Sequence, residues 1–236
     1  LRWRVGRPMM KEGLINRIRT VGHWRVNLRP LQKIAEQLSF QQCFEEVDRS
    51  RVSLRGWDFP HISHRNDEQG GSARVEEYYE NWTDWYTQVE FWRMYKSGQF
   101  LSYNVLGNDI EGPNGEQPDD RTLDITDAIY SLTEFIEFAH RLTANGLYKY
   151  GVVIDISLNK TEQRRLLVGP RRMPFFDKKE SGAPSIKIKR ILAPTDWEGG
   201  PIQIALGALL KLFDHFGWNP QPSQIRADQE SLYRRG

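Results

Sequence analysis

The stretch YGVVIDISL, residues 150–158, is the segment from which the fold is most directly predicted. Its apolar Val152, Ile154 and Ile156 alternate with a second set of residues that includes Asp155. This two-residue period is typical of a strand that has one face in the core. We therefore expect a central strand here, with Asp155 on the face that points away from the core.

Further strands are predicted on both sides of this segment, where apolar and polar residues alternate between turn-forming residues. They cover residues 23–29, 51–54, 74–79, 82–88, 99–106, 164–168 and 185–192. We expect residues 164–168 to pair with the central strand across a short turn. Residues 185–192 should form a half-exposed strand with lysines on its outer face.

Apolar residues at intervals of three and four predict the helices. The clearest helix covers residues 124–145, begins at the N-cap Asp124 and has a wide apolar face that should lie against a sheet. Other helices are predicted at residues 30–38, 40–48, 89–97, 201–216 and within 220–235. The pattern predicts an α+β fold: a single domain over residues 23–236, with a mostly antiparallel or mixed sheet and helices packed on one face, preceded by a basic N-terminal arm over residues 1–22.

The composition is that of a globular protein, with 39% hydrophobic and 27% charged residues in a chain of 236. No apolar run is long enough for a membrane span and no signal peptide is recognisable, so we expect a cytoplasmic protein without a membrane partner. The single cysteine, Cys43, excludes an internal disulfide, which fits a reducing cytosol. Its helical spacing from Val47 predicts that it is buried.

The formal net charge is +2, but basic side chains are concentrated in a few segments. Residues 163–190 carry nine basic and two acidic side chains, and such a surface attracts phosphate groups. The alternative is a solvated face without a partner. The residues expected to contact nucleic acid are Arg164, Arg165, Arg171, Arg172, Lys178, Lys179, Lys187, Lys189 and Arg190.

Residues 78–95 contain eight aromatic side chains, interleaved with carboxylates. Exposed rings stack on bases or on partner side chains, whereas buried rings fill the core. We expect about half of them to be core residues. The exposed rings, available for stacking or for a partner, are expected to include Tyr79, Trp85 and Trp92.

The stretch RGWDFPHISH, residues 55–64, places Asp58, His61 and His64 at intervals of three. On a helix these side chains would share a face and could bind a metal ion. The proline between them interrupts any helix and favours an extended backbone before it. We therefore prefer a structural corner in which the apolar side chains are buried and Arg55 pairs with Asp58.

The carboxylate of Asp155 supports a rival hypothesis, a metal-dependent nuclease in which it acts with Glu76, Glu77 or the Asp58/His61 pair. However, the segment that follows lacks the Glu-x-Lys pair of restriction-type nucleases. The chain also has no P-loop, dinucleotide fingerprint, nucleophile elbow, zinc-protease motif or cysteine cluster. We therefore expect a protein that is not an enzyme, with no cofactor and no bound metal.

Four stretches resemble, in combination, a bacterial region of poorly defined function that follows AlbA/Schlafen-type DNA-binding domains. They are RGWDFPHI (55–62), EFWRMYKSGQF (90–100), LDITDAIYSLTEFIEFAHRL (123–142) and FGWNP (216–220). The resemblance spans most of residues 23–230 and includes no catalytic motif. It implies a sensing or binding module of the kind found in bacterial stress or defence assemblies.

The leading hypothesis is a non-catalytic module of a bacterial regulatory or defence assembly. It would contact nucleic acid or a partner protein through its basic and aromatic surfaces. The alternatives are the nuclease described above and an oligomerising scaffold, in which the aromatic stretch forms a homo-oligomeric interface.

Overall fold

The computed structural model describes residues 13–112, 115, 117–119, 121–169 and 174–234. The strands are β1 (His23–Pro30), β2 (Gly70–Val75), β3 (Tyr78–Trp85), β4 (Gln88–Tyr95), β5 (Phe100–Val105), β6 (Thr122–Asp124), β7 (Val152–Asn159), β8 (Arg165–Leu167) and β9 (Ser185–Leu192). The helices are α1 (Leu14–Thr20), α2 (Phe40–Ser50), α3 (Ile125–Ala144), α4 (Gly200–Asp214) and α5 (Pro222–Tyr233).

Seven of these strands form one antiparallel sheet in the order β2-β3-β4-β5-β1-β7-β9. The predicted central strand, β7, has a neighbour on each side but lies one position from the sheet edge. Its Val152, Ile154 and Ile156 are fully buried, and Asp155 lies on the opposite face, as the alternation predicts. The α+β class is confirmed.

Helices α2, α3 and α4 pack against the core-facing side of the sheet, and α5 packs on α3 and α4. Helix α3 begins where predicted, because the Asp124 carboxylate accepts a hydrogen bond from the Asp127 amide at 2.8 Å. The buried Cys43 of α2 lies in this core, where burial raises the pKa of its thiol to about 11. The predicted packing of helices on one face is confirmed for these four.

Helix α1 lies on the other face of the sheet, within the segment predicted as a basic arm. Its Leu14 and Ile18 are buried against Trp82, Phe91 and Tyr103 of the strands β3, β4 and β5. Residues 1–12 of that arm lie outside the described part of the chain. Because α1 covers three strands, the outer face of β1, β7 and β9 is left without a helix among the described residues.

The helix predicted at residues 89–97 is wrong, because this segment is strand β4. Val89 and Phe91 are buried beneath α1, whereas Trp92 and Met94 are buried beneath the helices on the other face. A strand that is buried on both faces loses the simple apolar–polar alternation, so that its apolar run resembles a buried helix.

The helix predicted at residues 30–38 is also wrong. Pro30 ends β1, and the Leu31 amide donates to the Gly151 carbonyl at 2.9 Å. The Leu38 amide donates to the Lys96 carbonyl, also at 2.9 Å. Backbone groups in this irregular segment therefore bind distant residues instead of the next helical turn.

The strand predicted at residues 51–54 is reduced to one bridge between Val52 and Phe59. The strand predicted at residues 164–168 does exist as β8, but its predicted pairing with β7 is wrong. It pairs in parallel with β6, because β1 and β9 already occupy both edges of β7.

A buried ion pair fixes β8 against the rest of the molecule. Two guanidinium nitrogens of Arg164 donate to the two carboxylate oxygens of Asp109, each at 2.7 Å, and both side chains are 1% exposed. Arg164 also donates to the Thr122 carbonyl at 2.6 Å, and Asp109 accepts from the Gly22 amide at 2.6 Å. The pair thus joins β6, β8 and the beginning of β1.

Replacing Arg164 with Ala should lower the free energy of unfolding by about 3–5 kcal/mol, because it leaves the Asp109 carboxylate buried without its cation. Urea denaturation measures this loss. The matched control is Arg165→Ala, which removes the exposed neighbouring arginine and should change stability by no more than about 0.5 kcal/mol. Equal losses in the two variants would contradict a structural role for the buried pair.

Candidate nucleic-acid interface and acidic pocket

The face of β1, β7 and β9 that points away from the main core brings together basic residues that are far apart in the sequence. The strand register places Arg25 opposite Ser157, and Ser157 opposite Lys187. Neighbouring side chains in such a row lie on the same face of the sheet. We define the basic sheet face as Arg25, Arg29, Lys187 and Lys189.

Asp155 is the one acidic side chain that these three strands direct to the same face. It lies 3.9 Å from a guanidinium nitrogen of Arg25. Burial lowers the pKa of the nearby His23, and the positive charges of Arg19 and Lys160 lower it further. The four cations of the basic sheet face outnumber the single carboxylate of Asp155, so the face carries a net positive charge, which suits an anionic partner.

The predicted basic stretch does not form one surface. Arg164 is buried in its ion pair, so the expectation that it contacts nucleic acid is wrong. Arg165 and Lys178 are exposed and Lys179 is half-buried, but none of them lies on the basic sheet face. Arg190 is half-buried, opposite the buried Ile154, and so belongs to the other side of β9.

Lys187 and Lys189 are therefore the two residues of the predicted set that the sheet places together on its outer face. Arg171 and Arg172 lie outside the described residues. The contribution of β1 was missed, because Arg25 and Arg29 are far from these lysines in the sequence and strand order alone makes them neighbours.

Only one of the three aromatic residues that were expected to be exposed, Trp85, is exposed in the structure. Trp85 is 41% exposed, whereas Tyr79 and Trp92 are 9% and 1% exposed, so the expectation is wrong for both. The Trp92 indole N–H donates to the His61 carbonyl at 2.7 Å, which holds the ring inside the core. Trp85 is joined at the β3–β4 turn by Tyr86, which is 59% exposed.

The segment RGWDFPHISH forms a corner, and Phe59 and Ile62 in it are buried as predicted. The predicted Arg55–Asp58 pair is wrong, because Asp58 pairs with Arg51 at 3.1 Å and Arg55 reaches across to α3. His61 stacks on Trp57 with ring centroids 3.9 Å apart. Within the described ranges, no group of His, Cys, Asp and Glu side chains is arranged to hold a metal ion.

The nuclease hypothesis requires Asp155 to meet other acidic or histidine side chains. Glu76 and Glu77 lie in the turn between β2 and β3, at the opposite end of the strand order from β7. Asp58 and His61 lie in the corner segment on the helix-covered side, whereas Asp155 points to the other face. The structure does not bring these groups together.

A cavity of about 440 Å³ lies beside this corner, between the sheet and α3. Trp24 of β1, Glu90 of β4 and Asn104 of β5 line it from the sheet. Asp127, Ser131 and Glu134 line it from one face of α3. Arg55 and Trp57 complete it from the corner segment.

Arg55 is held in place by three side chains of α3. It donates to Asp127 at 2.6 Å, to Ser131 at 3.0 Å and to Glu134 at 2.9 Å. On the sheet side, the Trp57 indole N–H donates to Glu90 at 2.8 Å. The Asn104 amide nitrogen, oriented so that both of its polar ends are satisfied, donates to the other Glu90 oxygen at 3.2 Å.

Both buried glutamates titrate near neutrality. Burial raises the pKa of Glu90 to about 7, although the Trp57 hydrogen bond and the charge of Arg55 oppose the increase. Burial likewise raises the pKa of Glu134 to about 7, against the opposing effect of Arg55. The sequence patterns did not single out Glu134, although a carboxylate on the apolar face of the helix predicted at residues 124–145 could have indicated it. Glu90 was included only among the carboxylates interleaved with the aromatic residues 78–95.

Comparisons of the chain with protein-family models, curated proteins and solved structures find no match. The family resemblance carried by the four sequence stretches stays a prediction. None of the helices within the described ranges is both long and apolar enough to cross a membrane.

The raised pKa of Glu90 predicts a pH-dependent stability. A carboxyl group whose pKa is higher in the folded state stabilises the fold at low pH, and this contribution is lost as the pH rises from about 4.5 to about 7. When the pH rises from about 5 to about 8, the unmodified protein should therefore lose roughly 3 kcal/mol more unfolding free energy than the Glu90→Gln variant loses. Chemical denaturation at both pH values measures the effect.

The control for this experiment is Glu162→Gln, which changes an exposed turn residue and should leave the pH dependence as it is in the unmodified protein. An unaltered pH dependence in Glu90→Gln would show that this carboxyl group does not titrate as the burial requires.

Proposed function

We propose that this chain is a non-catalytic binding module that contacts nucleic acid through the basic sheet face. The observation that carries the proposal is the strand register, which places the half-buried Arg25 and the exposed Lys187 and Lys189 on one face of the sheet, with Asp155 as the single acid of these strands there. A sheet face without exposed aromatic rings favours contacts to phosphate over base stacking. Binding should therefore depend strongly on salt and weakly on sequence.

The spacing of the cations also suits a phosphate backbone. Alternate residues of a strand lie about 6.6 Å apart on one face, so Lys187 and Lys189 can contact separate phosphates. Arg25 extends the row to β1, and Arg29 lies farther along the same strand. Asp155 offsets one of the four positive charges of the basic sheet face, which leaves the face with a net positive charge.

The sequence resemblance extends the proposal to a biological setting. It supports a role in a bacterial regulatory or defence assembly, with the nucleic-acid contact made in the cytoplasm. The single cysteine, Cys43, is a buried free thiol, which is compatible with a reducing compartment. A partner protein is the second candidate for binding, favoured by the exposed rings of Trp85 and Tyr86.

The double variant Lys187→Ala/Lys189→Ala should weaken binding and flatten its salt dependence. Each lost phosphate contact on duplex DNA reduces the slope of log K against log salt by about 0.9, so the expected change is about 2. Fluorescence anisotropy with labelled single- and double-stranded oligonucleotides, between about 50 and about 200 mM salt, measures it.

The matched control is Lys33→Ala/Lys211→Ala, which removes the same charge from two exposed lysines outside the basic sheet face. It should retain the slope of the unmodified protein. If the unmodified protein binds neither oligonucleotide at either salt concentration, or if both double variants lose slope equally, the proposed interface is wrong.

A further inference from the structure

The cavity beside the corner segment has an excess of acidic groups. Asp58, Glu90, Asp124, Asp127 and Glu134 line it, whereas Arg55 is the one basic residue that the described part of the chain contributes to the lining. The volume of about 440 Å³ falls within the range of small-molecule sites. An anion would be repelled here, because Asp127 and Glu134 already occupy the guanidinium of Arg55.

Two polar atoms of the cavity-lining residues have no hydrogen-bond partner among the described residues. They are the Oε1 atom of Glu134 and the indole nitrogen of Trp24, both buried. Glu134 is 1% exposed and Trp24 is 2% exposed. The Glu134 oxygen accepts hydrogen bonds and the Trp24 N–H donates them, so a ligand that carries only N–H donors can satisfy Glu134 and not Trp24. A buried polar atom without a partner costs free energy, so a donor supplied by a ligand to the Glu134 oxygen would stabilise the site.

The acceptors of the site outnumber its donors. The ionised Glu90 accepts from Trp57 and Asn104, and each carboxylate can accept further hydrogen bonds. Planar cations with several N–H groups, such as amidinium and guanidinium, match paired carboxylate oxygens better than a spherical ammonium does.

Aromatic rings extend from the cavity to the protein surface. His61 stacks on Trp57, and the Trp57 and Trp85 ring centroids are 6.3 Å apart. Tyr86 continues this series at 5.3 Å from Trp85. Trp57 lines the cavity with one of its faces covered by His61, so a planar cation beside the carboxylates would contact the part of the Trp57 ring that His61 leaves open.

We propose that this cavity binds a planar organic cation of the amidinium or guanidinium type, held by the carboxylates of Glu90 and Glu134 and by the ring of Trp57. The site is separate from the basic sheet face, which lies on the other side of the sheet. Its ligand and the nucleic acid therefore need not compete for the same residues.

Ligand binding should be coupled to proton release. A bound cation favours the ionised form of each carboxylate, and both groups are partly protonated at neutral pH. Affinity should consequently fall as the pH decreases below about 7, by about tenfold per pH unit for each carboxylate that must lose its proton.

Isothermal titration calorimetry with benzamidine as the probe tests the proposal, with benzamide as the neutral analogue of the same shape. At about pH 8 we expect benzamidine to bind and benzamide to bind at least about tenfold more weakly. At about pH 6 the benzamidine affinity should fall, and titrations in buffers of different ionisation enthalpy should detect released protons. No benzamidine binding at the higher pH, or equal binding of both compounds, would overturn the proposal.

Two variants assign the binding to this cavity. Glu90→Gln keeps the shape of the side chain and removes its charge, and it should weaken benzamidine binding by about tenfold or more. Trp57→Leu removes the aromatic face and the donor to Glu90, and it should also weaken binding. Thermal unfolding confirms that each variant is folded, and a folded Glu90→Gln protein with unchanged affinity would exclude the assigned site.

The matched controls lie on the other face of the sheet. Asp155→Asn removes one carboxylate charge there and should leave benzamidine binding unchanged. The double variant Lys187→Ala/Lys189→Ala should do the same, although it weakens nucleic-acid binding if the proposed interface is correct. The two proposals can therefore fail independently.

Discussion

The packing of α3 across one face of the sheet is the interaction on which the rest of the structure depends. Its Ile129, Leu132 and Ile136 are fully buried in the same core as the inward side chains of β1 and β7. The burial of apolar side chains such as these is the main favourable contribution to folding. The same helix carries Glu134 into the interior, so the core and the acidic cavity share one wall.

The two faces of the sheet are covered to different extents, and this difference defines both candidate sites. On the core-facing side, α3 and the corner segment enclose a polar cavity instead of completing the apolar packing. On the other side, α1 covers β3, β4 and β5, and Arg29, Lys187 and Lys189 of β1 and β9 are exposed. The core-facing side of the sheet thus holds carboxylates in a low-dielectric interior, and the opposite side presents cations to solvent.

Local sequence patterns predicted the elements whose two faces differ in polarity. Strand β7 alternates Ile154 and Ile156 with Asp155, and α3 has a defined N-cap at Asp124, so both were recognisable. Strand β4 was not, because α1 on one side and the main core on the other bury both of its faces. The segment after Pro30 failed for a related reason, since its backbone hydrogen bonds reach Gly151 and Lys96, which no local window contains.

The candidate sites were predictable only in part, because they depend on which distant residues become neighbours. Lys187 and Lys189 were visible as an alternating pair, but their proximity to Arg25 follows from the order β1-β7-β9. Arg164 had the same sequence character as Arg165 and was distinguished by Asp109, a residue 55 positions earlier that accepts its hydrogen bonds. Charge and periodicity identify candidates, whereas tertiary pairing decides which of them meet solvent.

The position of β9 at the end of the sheet has a consequence for self-association. An edge strand leaves one row of backbone N–H and C=O groups without a strand partner, and such a row can recruit a strand from another molecule. Lysine is one of the residues that protect exposed edges, because neighbouring copies repel each other and the long side chains hinder close approach. Lys187 and Lys189 therefore oppose the pairing of β9 with the same strand of another copy, and the same charges that attract a polyanion would discourage the growth of intermolecular β-structure.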